Sequence, residues 1–264
     1  MSKKEVLVLL GLFLLGFLFL TNPLQIVEAG RENEVQQAED KLIAARDLLY
    51  NNGGQTNVLA RIENKLTTSQ EVFSALDEGA DKYRLLAKLE YLMIGYEQLQ
   101  GGEDLDERLE NRVRKTKELI EKSLEYDNQS SEAHWILGDI YIALTDYVGT
   151  FRQLRYAWRG VEHLEKAIEL DSQNYDAYES LGSYYLLAPR IVGGDQEKGI
   201  ELLEKAVVSD DDFINYQANV SLVSFYEEQG QLDKAVKHVQ KSLEAYPRNN
   251  NMQNKLEELE EQLD

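Results

Sequence analysis

The 264-residue chain contains no cysteine, which excludes disulfides, thiolate metal sites, a cysteine nucleophile and a lipid-modified N-terminal cysteine. Only three prolines interrupt it, while Leu, Glu, Lys and Ala are abundant, so helices are favoured over most of its length. Positive charge is also scarce. Twenty-eight Lys and Arg stand against 48 Asp and Glu, giving a net charge of -20 with no basic stripe to offset it. Phosphate backbones are repelled by such a chain, and nucleic acid is not an expected partner. With 43% hydrophobic residues the chain can bury a core, so it is not disordered by composition.

Catalytic signatures are missing as well. There is no G-x-S-x-G, no H-E-x-x-H and no P-loop sequence. The three histidines, His134, His163 and His238, fall on separate predicted helices with no ligand at metal-binding spacing, so each is read as structural. Glu201, Glu204 and Asp210 to Asp212 are read as a solvated face, because chance proximity of carboxylates is common among 48 acids. The chain is expected to be no enzyme and to hold no metal and no cofactor.

What is present begins with an apolar run from Val6 to Leu20, preceded by Lys3 and Lys4 and followed by the small-residue pattern Val27-Glu28-Ala29. Residues 1–29 therefore read as a signal peptide or an N-terminal membrane anchor. Either places the remainder outside the cytoplasm, in the periplasm or cell envelope, with membrane contact only through this segment if it stays uncleaved.

Beyond it, one pattern recurs three times. Leu137-Gly138 with Tyr141 is followed by Gly160, Leu164 and Ala167; Leu181-Gly182 with Tyr185 is followed by Gly199, Leu203 and Ala206. Leu222-Val223 with Tyr226 is followed by Gly230, Leu232, Ala235, Val239, Ser242 and Pro247. Apolar residues spaced by three and four predict amphipathic helices in both halves of each copy. Small residues beside the Leu let paired helices approach closely, and the Tyr fills the space between them.

These residues resemble the tetratricopeptide repeat family, whose unit is about 34 residues long. The resemblance covers about residues 131 to 247. It implies an all-α fold: a right-handed superhelical array of antiparallel helix pairs, an α-solenoid, with a C-terminal capping helix. The expected organisation is an N-terminal helical hairpin at 30–78, a degenerate repeat-like pair at 79–129, three units at 130–248 and the cap at 249–264. The first two units carry insertions.

In this family the first helix of each pair lines a concave face. The matching positions here are Trp135 and Asp139, Glu179 and Ser183, and Val220, Ser224 and Glu227. Members that grip a terminal carboxylate use Lys, Arg and Asn there, and none of these positions supplies one. A protein or peptide carrying some basic residues is the expected partner, with Trp135 as an apolar anchor among carboxylates. A noncatalytic interaction scaffold is the leading reading.

A second local feature is the loop Ala188 to Asp195, with Arg190, Gly193 and Gly194 as candidate contacts at the edge of the array and Asp195 placed to cap the helix starting near Gln196. Its Pro-x-x-Gly-Gly-Asp pattern is similar to one in accessory repeat subunits of tripartite solute transporters. That similarity implies an alternative, a transport accessory binding a small apolar solute or a solute-binding protein. The aromatics Tyr147, Phe151, Tyr156 and Trp158 in the first enlarged copy either pack its helices or line such a surface.

Overall fold

The computed structural model describes residues 23–51 and 56–263. Most of the expected export segment, and the turn at Asn52 to Gly54, lie outside the described residues. Among the described residues there are eleven α-helices: α1 (Pro23–Asn51), α2 (Thr56–Ser74), α3 (Ala80–Gln100), α4 (Leu105–Tyr126), α5 (Ser131–Ala143), α6 (Thr150–Leu170), α7 (Tyr175–Leu187), α8 (Gln196–Ala206), α9 (Asp212–Glu228), α10 (Leu232–Ala245) and α11 (Asn250–Leu263). Short 3-10 turns at Leu144–Tyr147 and Arg190–Val192 occupy the two insertions. No strand occurs among the described residues, and no described helix is long and apolar enough to cross a membrane.

The helices pack as successive pairs, α1 with α2 through α9 with α10, and α11 closes against α10. Glycine sets the spacing inside two of these pairs. A Cβ on Gly138 would sit 2.7 Å from Leu164 Cγ, and one on Gly199 would sit 2.6 Å from the backbone nitrogen of Leu186. Tyr141 and Tyr185 are buried beside these contacts. Helix starts are capped where the sequence offers an oxygen: Ser130, Asn174 and Asp195 each accept from the backbone N–H three residues on. α11 covers the last pair by placing Leu259 against Val223, Ala235 and Val239.

The first and last helix pairs of the described array meet. Arg46 pairs with Asp211 at 2.8 Å, and Tyr246 Oη donates to Asp47 at 2.9 Å. Asn249 Nδ2 donates to the Tyr50 carbonyl at 2.7 Å, and Arg248 N–H donates to Asn51 Oδ1 at 3.1 Å. Tyr50 packs its ring among Phe213, Tyr216 and Tyr246, with centroids 4.8 to 6.2 Å away. The physical reason for closure is this aromatic cluster, which packs large rings from both sides of the seam while the Tyr246 hydroxyl reaches Asp47 across it.

Candidate ligand-binding cavity

The first helices of the pairs, α3, α5, α7 and α9, line an open cavity of about 890 Å3, with Tyr50 of α1 on its wall. A smaller neighbour of about 390 Å3 lies on the other side of Tyr50, beside Tyr216 and Asn249. Gln153 and Ala157 of α6, with Pro189 and Val192 of the inserted loop, complete the lining of the larger one.

The chemistry of this cavity is set by carboxylates without cations. Asp139 accepts from Tyr91 Oη at 2.8 Å and from Ser180, whose Oγ in turn accepts the Trp135 indole N–H at 3.1 Å. Glu179 accepts from Ser183 Oγ at 2.7 Å, and Ser183 Oγ shares a second hydrogen bond with Ser221 Oγ at 2.6 Å. Neither acid forms an ion pair with a Lys or Arg among the described residues. Burial pushes the Asp139 carboxyl up to about 6, against the opposing pull of its Ser180, Tyr91 and Trp135 hydrogen bonds. Burial likewise pushes Glu179 up to about 8, and the nearby Asp139 and Asp176 add to the rise. Asp176 rises to about 7, again through burial first, although Arg46 pulls the other way.

Residues 216–249 match the tetratricopeptide repeat family model. The crystal structure of TTC0263, a thermophilic TPR protein of Thermus thermophilus, aligns with 87% of this chain and 98% of its own, at a TM-score of 0.60 and 16% identity. The fold is a tetratricopeptide repeat array. More distant likenesses are MamA, with 22% identity, 75% of this chain and 98% of its own covered, and a TM-score of 0.42. YrrB, described as a TPR protein with an unusual peptide-binding site, has 15% identity, 75% and 88% coverage, and a TM-score of 0.38. Among curated proteins, none matches this sequence. Tetratricopeptide repeat proteins are in general noncatalytic scaffolds that bind proteins or peptides.

Set in the repeats, the predicted concave positions divide. Asp139, Glu179 and Ser183 line the cavity. Trp135 does not, and this corrects its reading as an apolar anchor: it is only 8% exposed and packs edge-on against Tyr91 with centroids 5.9 Å apart. Its indole N–H acts from beneath, through Ser180. In the third unit the register differs from the prediction. Val220 is off the cavity, Ser224 is exposed and bonds the Val220 carbonyl, and Glu227 pairs with Lys255 of α11 at 3.1 Å. Phe213, Gln217 and Ser221 line the cavity instead. The cause is the seam: Phe213 packs under the Arg46 guanidinium, 4.6 Å from the ring centroid, and against Tyr50, which turns the start of α9 inward.

The inserted loop is built around its glycines. Gly193 takes φ +99°, and a Cβ on Gly194 would fall 1.7 Å from the Ala188 carbonyl oxygen, so both are required by the turn. Arg190 is exposed at its edge, and the cavity lining comes from Pro189 and Val192 beside it. Two of the histidines, expected singly on separate helices, meet, while His238 bonds Asn219. His134 and His163, on the paired helices α5 and α6, stack with their Nδ1 atoms 2.9 Å apart. Burial first, then His134 and Arg159, lower the His163 ring to about 4. No cluster of three metal-ligating groups occurs among the described residues. The pair is 29 residues apart in sequence, and only the helix pairing brings it together.

Proposed function

We propose that this chain is a noncatalytic interaction scaffold of the cell envelope that receives a partner segment carrying a Lys or Arg side chain in the cavity between α3, α5, α7 and α9. The observation that carries this reading is the placement of Asp139 and Glu179 in that cavity without a cationic partner. A buried carboxylate costs free energy unless it is paired, and an incoming ammonium or guanidinium relieves that cost. The hydroxyls of Ser183 and Ser221 and the rings of Tyr50 and Phe213 supply hydrogen bonds and apolar contact along the aliphatic stem. Support for the envelope comes from the basic start, the apolar run Val6 to Leu20 and the pattern at Val27 to Ala29.

A second reading, a transport accessory binding a small solute, draws on the seam. Arg46–Asp211 and Tyr246–Asp47 join the first and last helix pairs beside a cavity whose volume is within the range of small-molecule sites, which run to about 1,000 Å3. A peptide library displayed against the full chain separates the two. Enrichment of Lys- or Arg-bearing sequences, with binding lost in the Asp139→Asn/Glu179→Gln variant and weakened by salt, supports the scaffold. Absence of any charge bias, or unchanged binding by the variant, overturns it.

A further inference from the structure

The enlarged first repeat unit presents a surface unlike the rest of the molecule. Residues 150 to 160 read TFRQLRYAWRG, with three arginines and no acid, in a chain of net charge -20. On α6 the inward side is taken by Gln153 and Ala157 in the cavity lining and by Gly160 against α5. The outward side carries Phe151, Arg155 and Trp158 at helical spacing of four and three, so the three side chains form one row. Phe151 is 94% exposed and Trp158 71% exposed. Arg152 and Arg159 flank the row, and all three arginines are exposed without an ion pair among the described residues. Arg159 is the most tied of them, donating to Tyr141 Oη at 3.2 Å. The row ends at the exposed Glu162, four residues after Trp158, while Asp146 lies with the cavity lining.

We infer that this face of α6 rests on an anionic phospholipid surface, with Phe151 and Trp158 in the headgroup boundary and Arg152 and Arg155 on lipid phosphates. The charge is complementary where the body as a whole is repelled, and at physiological ionic strength that repulsion is screened beyond about 8 Å. Contact is thus confined to whatever projects from the helix. A ridge of Phe and Trp between arginines is the composition of a helix lying in an interface, where the aromatic rings have an apolar body and the guanidiniums meet phosphate. Phe151, Arg155 and Trp158 line neither cavity described above, so the row meets its partner as an exposed ridge. The apolar run Val6 to Leu20, where it stays uncleaved as an anchor, would hold the same chain at a membrane.

The chain has two tryptophans, and Trp135 is buried in the core, so Trp158 is a built-in reporter. The full chain is mixed with vesicles of brominated phosphatidylcholine, with or without an equal part of phosphatidylglycerol, and tryptophan emission is followed. The proposal expects quenching and a blue shift in the anionic vesicles, several-fold less in the zwitterionic ones, and loss of both in Arg152→Gln/Arg155→Gln. Trp158→Phe must remove the quenching while leaving the Trp135 emission. Equal quenching in both vesicle types, quenching that survives the double Gln variant or Trp158→Phe, or none at all overturns it. None of these readouts involves the cavity acids, so the outcome is separate from the fate of the binding reading above.

Discussion

Two regions of this molecule bury carboxylates, and they treat them in opposite ways. Between α3 and α4, the Glu90 and Glu97 side chains are 4% and 7% exposed, and each meets cations. Arg112 reaches Glu90 at 2.5 Å and Glu97 at 2.7 Å, Lys115 reaches Glu90 at 2.5 Å, and Arg108 approaches Glu97 at 3.7 Å. In the cavity between α5 and α7, Asp139 and Glu179 meet neutral donors, the hydroxyls of Tyr91, Ser180 and Ser183 and the Trp135 indole, and no cation. In the first arrangement the neighbouring helix supplies the countercharge, although Glu97 Oε2 keeps no hydrogen-bond partner of its own. The second is complete only when a proton or a cation arrives. Acids of the first kind are neutralised within one helix pair; on the function proposed above, those of the second kind are where a basic side chain enters.

The sharpest way to break this contrast is to make the first region resemble the second. Arg112→Ala removes the guanidinium that both glutamates share, leaving Lys115 and Arg108 at the margins. Loss of one partner from a buried pair costs roughly 3 kcal/mol, and urea denaturation should show a drop of that size. A drop below about 1 kcal/mol, the value of an exposed pair, would mean that the two regions are not distinct.

How much of this contrast was legible beforehand depends on the range of the interaction. The Leu-Gly and Tyr positions of the repeats announced helix pairs because a close approach leaves a local, periodic mark, and Asp195 announced its cap for the same reason. Asp139, Glu179 and Ser183 were legible as inward positions because they keep step with Gly138 and Gly182. The third unit was misread because Val223 stands where the others have glycine and because Phe213 is held by a seam partner, Arg46, far away in sequence. The seam has no period, and its residues, Asp47, Tyr50, Asp211 and Tyr246, look ordinary one at a time. The pairing of Glu90 and Glu97 with Arg112 is equally silent, since one helix pair in a charged sequence offers many alternatives. The basic row on α6 was hidden by the net charge, which averages over the faces of a helix.

A second test runs the comparison in the other direction, by neutralising an acid that has no cation. Burial raises the Glu179 carboxyl from its ordinary 4.5 to about 8, so the folded protein binds more protons than the unfolded chain between those values. Stability held by that proton is present at pH 4.5 and is lost as pH rises towards 8. Glu179→Gln removes the titration. The variant should be more stable than the parent by on the order of 2 kcal/mol at pH 8 and indistinguishable from it at pH 4.5, measured by urea denaturation at both values. A variant that is less stable at pH 8 would show that Glu179 has found a cationic partner, as Glu90 has.

Asp139→Asn gives the smallest effect and the finest distinction, because Asp139 lies between the two cases. Its carboxyl is buried like that of Glu179 but accepts from Tyr91 and Ser180, and these donors hold its rise to about 6. An amide oxygen can keep one of those bonds, while the amide nitrogen brings two donors that need acceptors. The expected gain at pH 8 is therefore only about 1 kcal/mol, smaller than for Glu179→Gln, and it should vanish by pH 4. The same variant loosens the chain from Trp135 through Ser180 to Asp139, so Trp135 emission should shift while the fold is retained. A gain as large as that of Glu179→Gln would mean that hydroxyl donors contribute nothing to holding a buried charge here. In that case burial alone, and not the pattern of donors, would distinguish this cavity from the paired glutamates of α3.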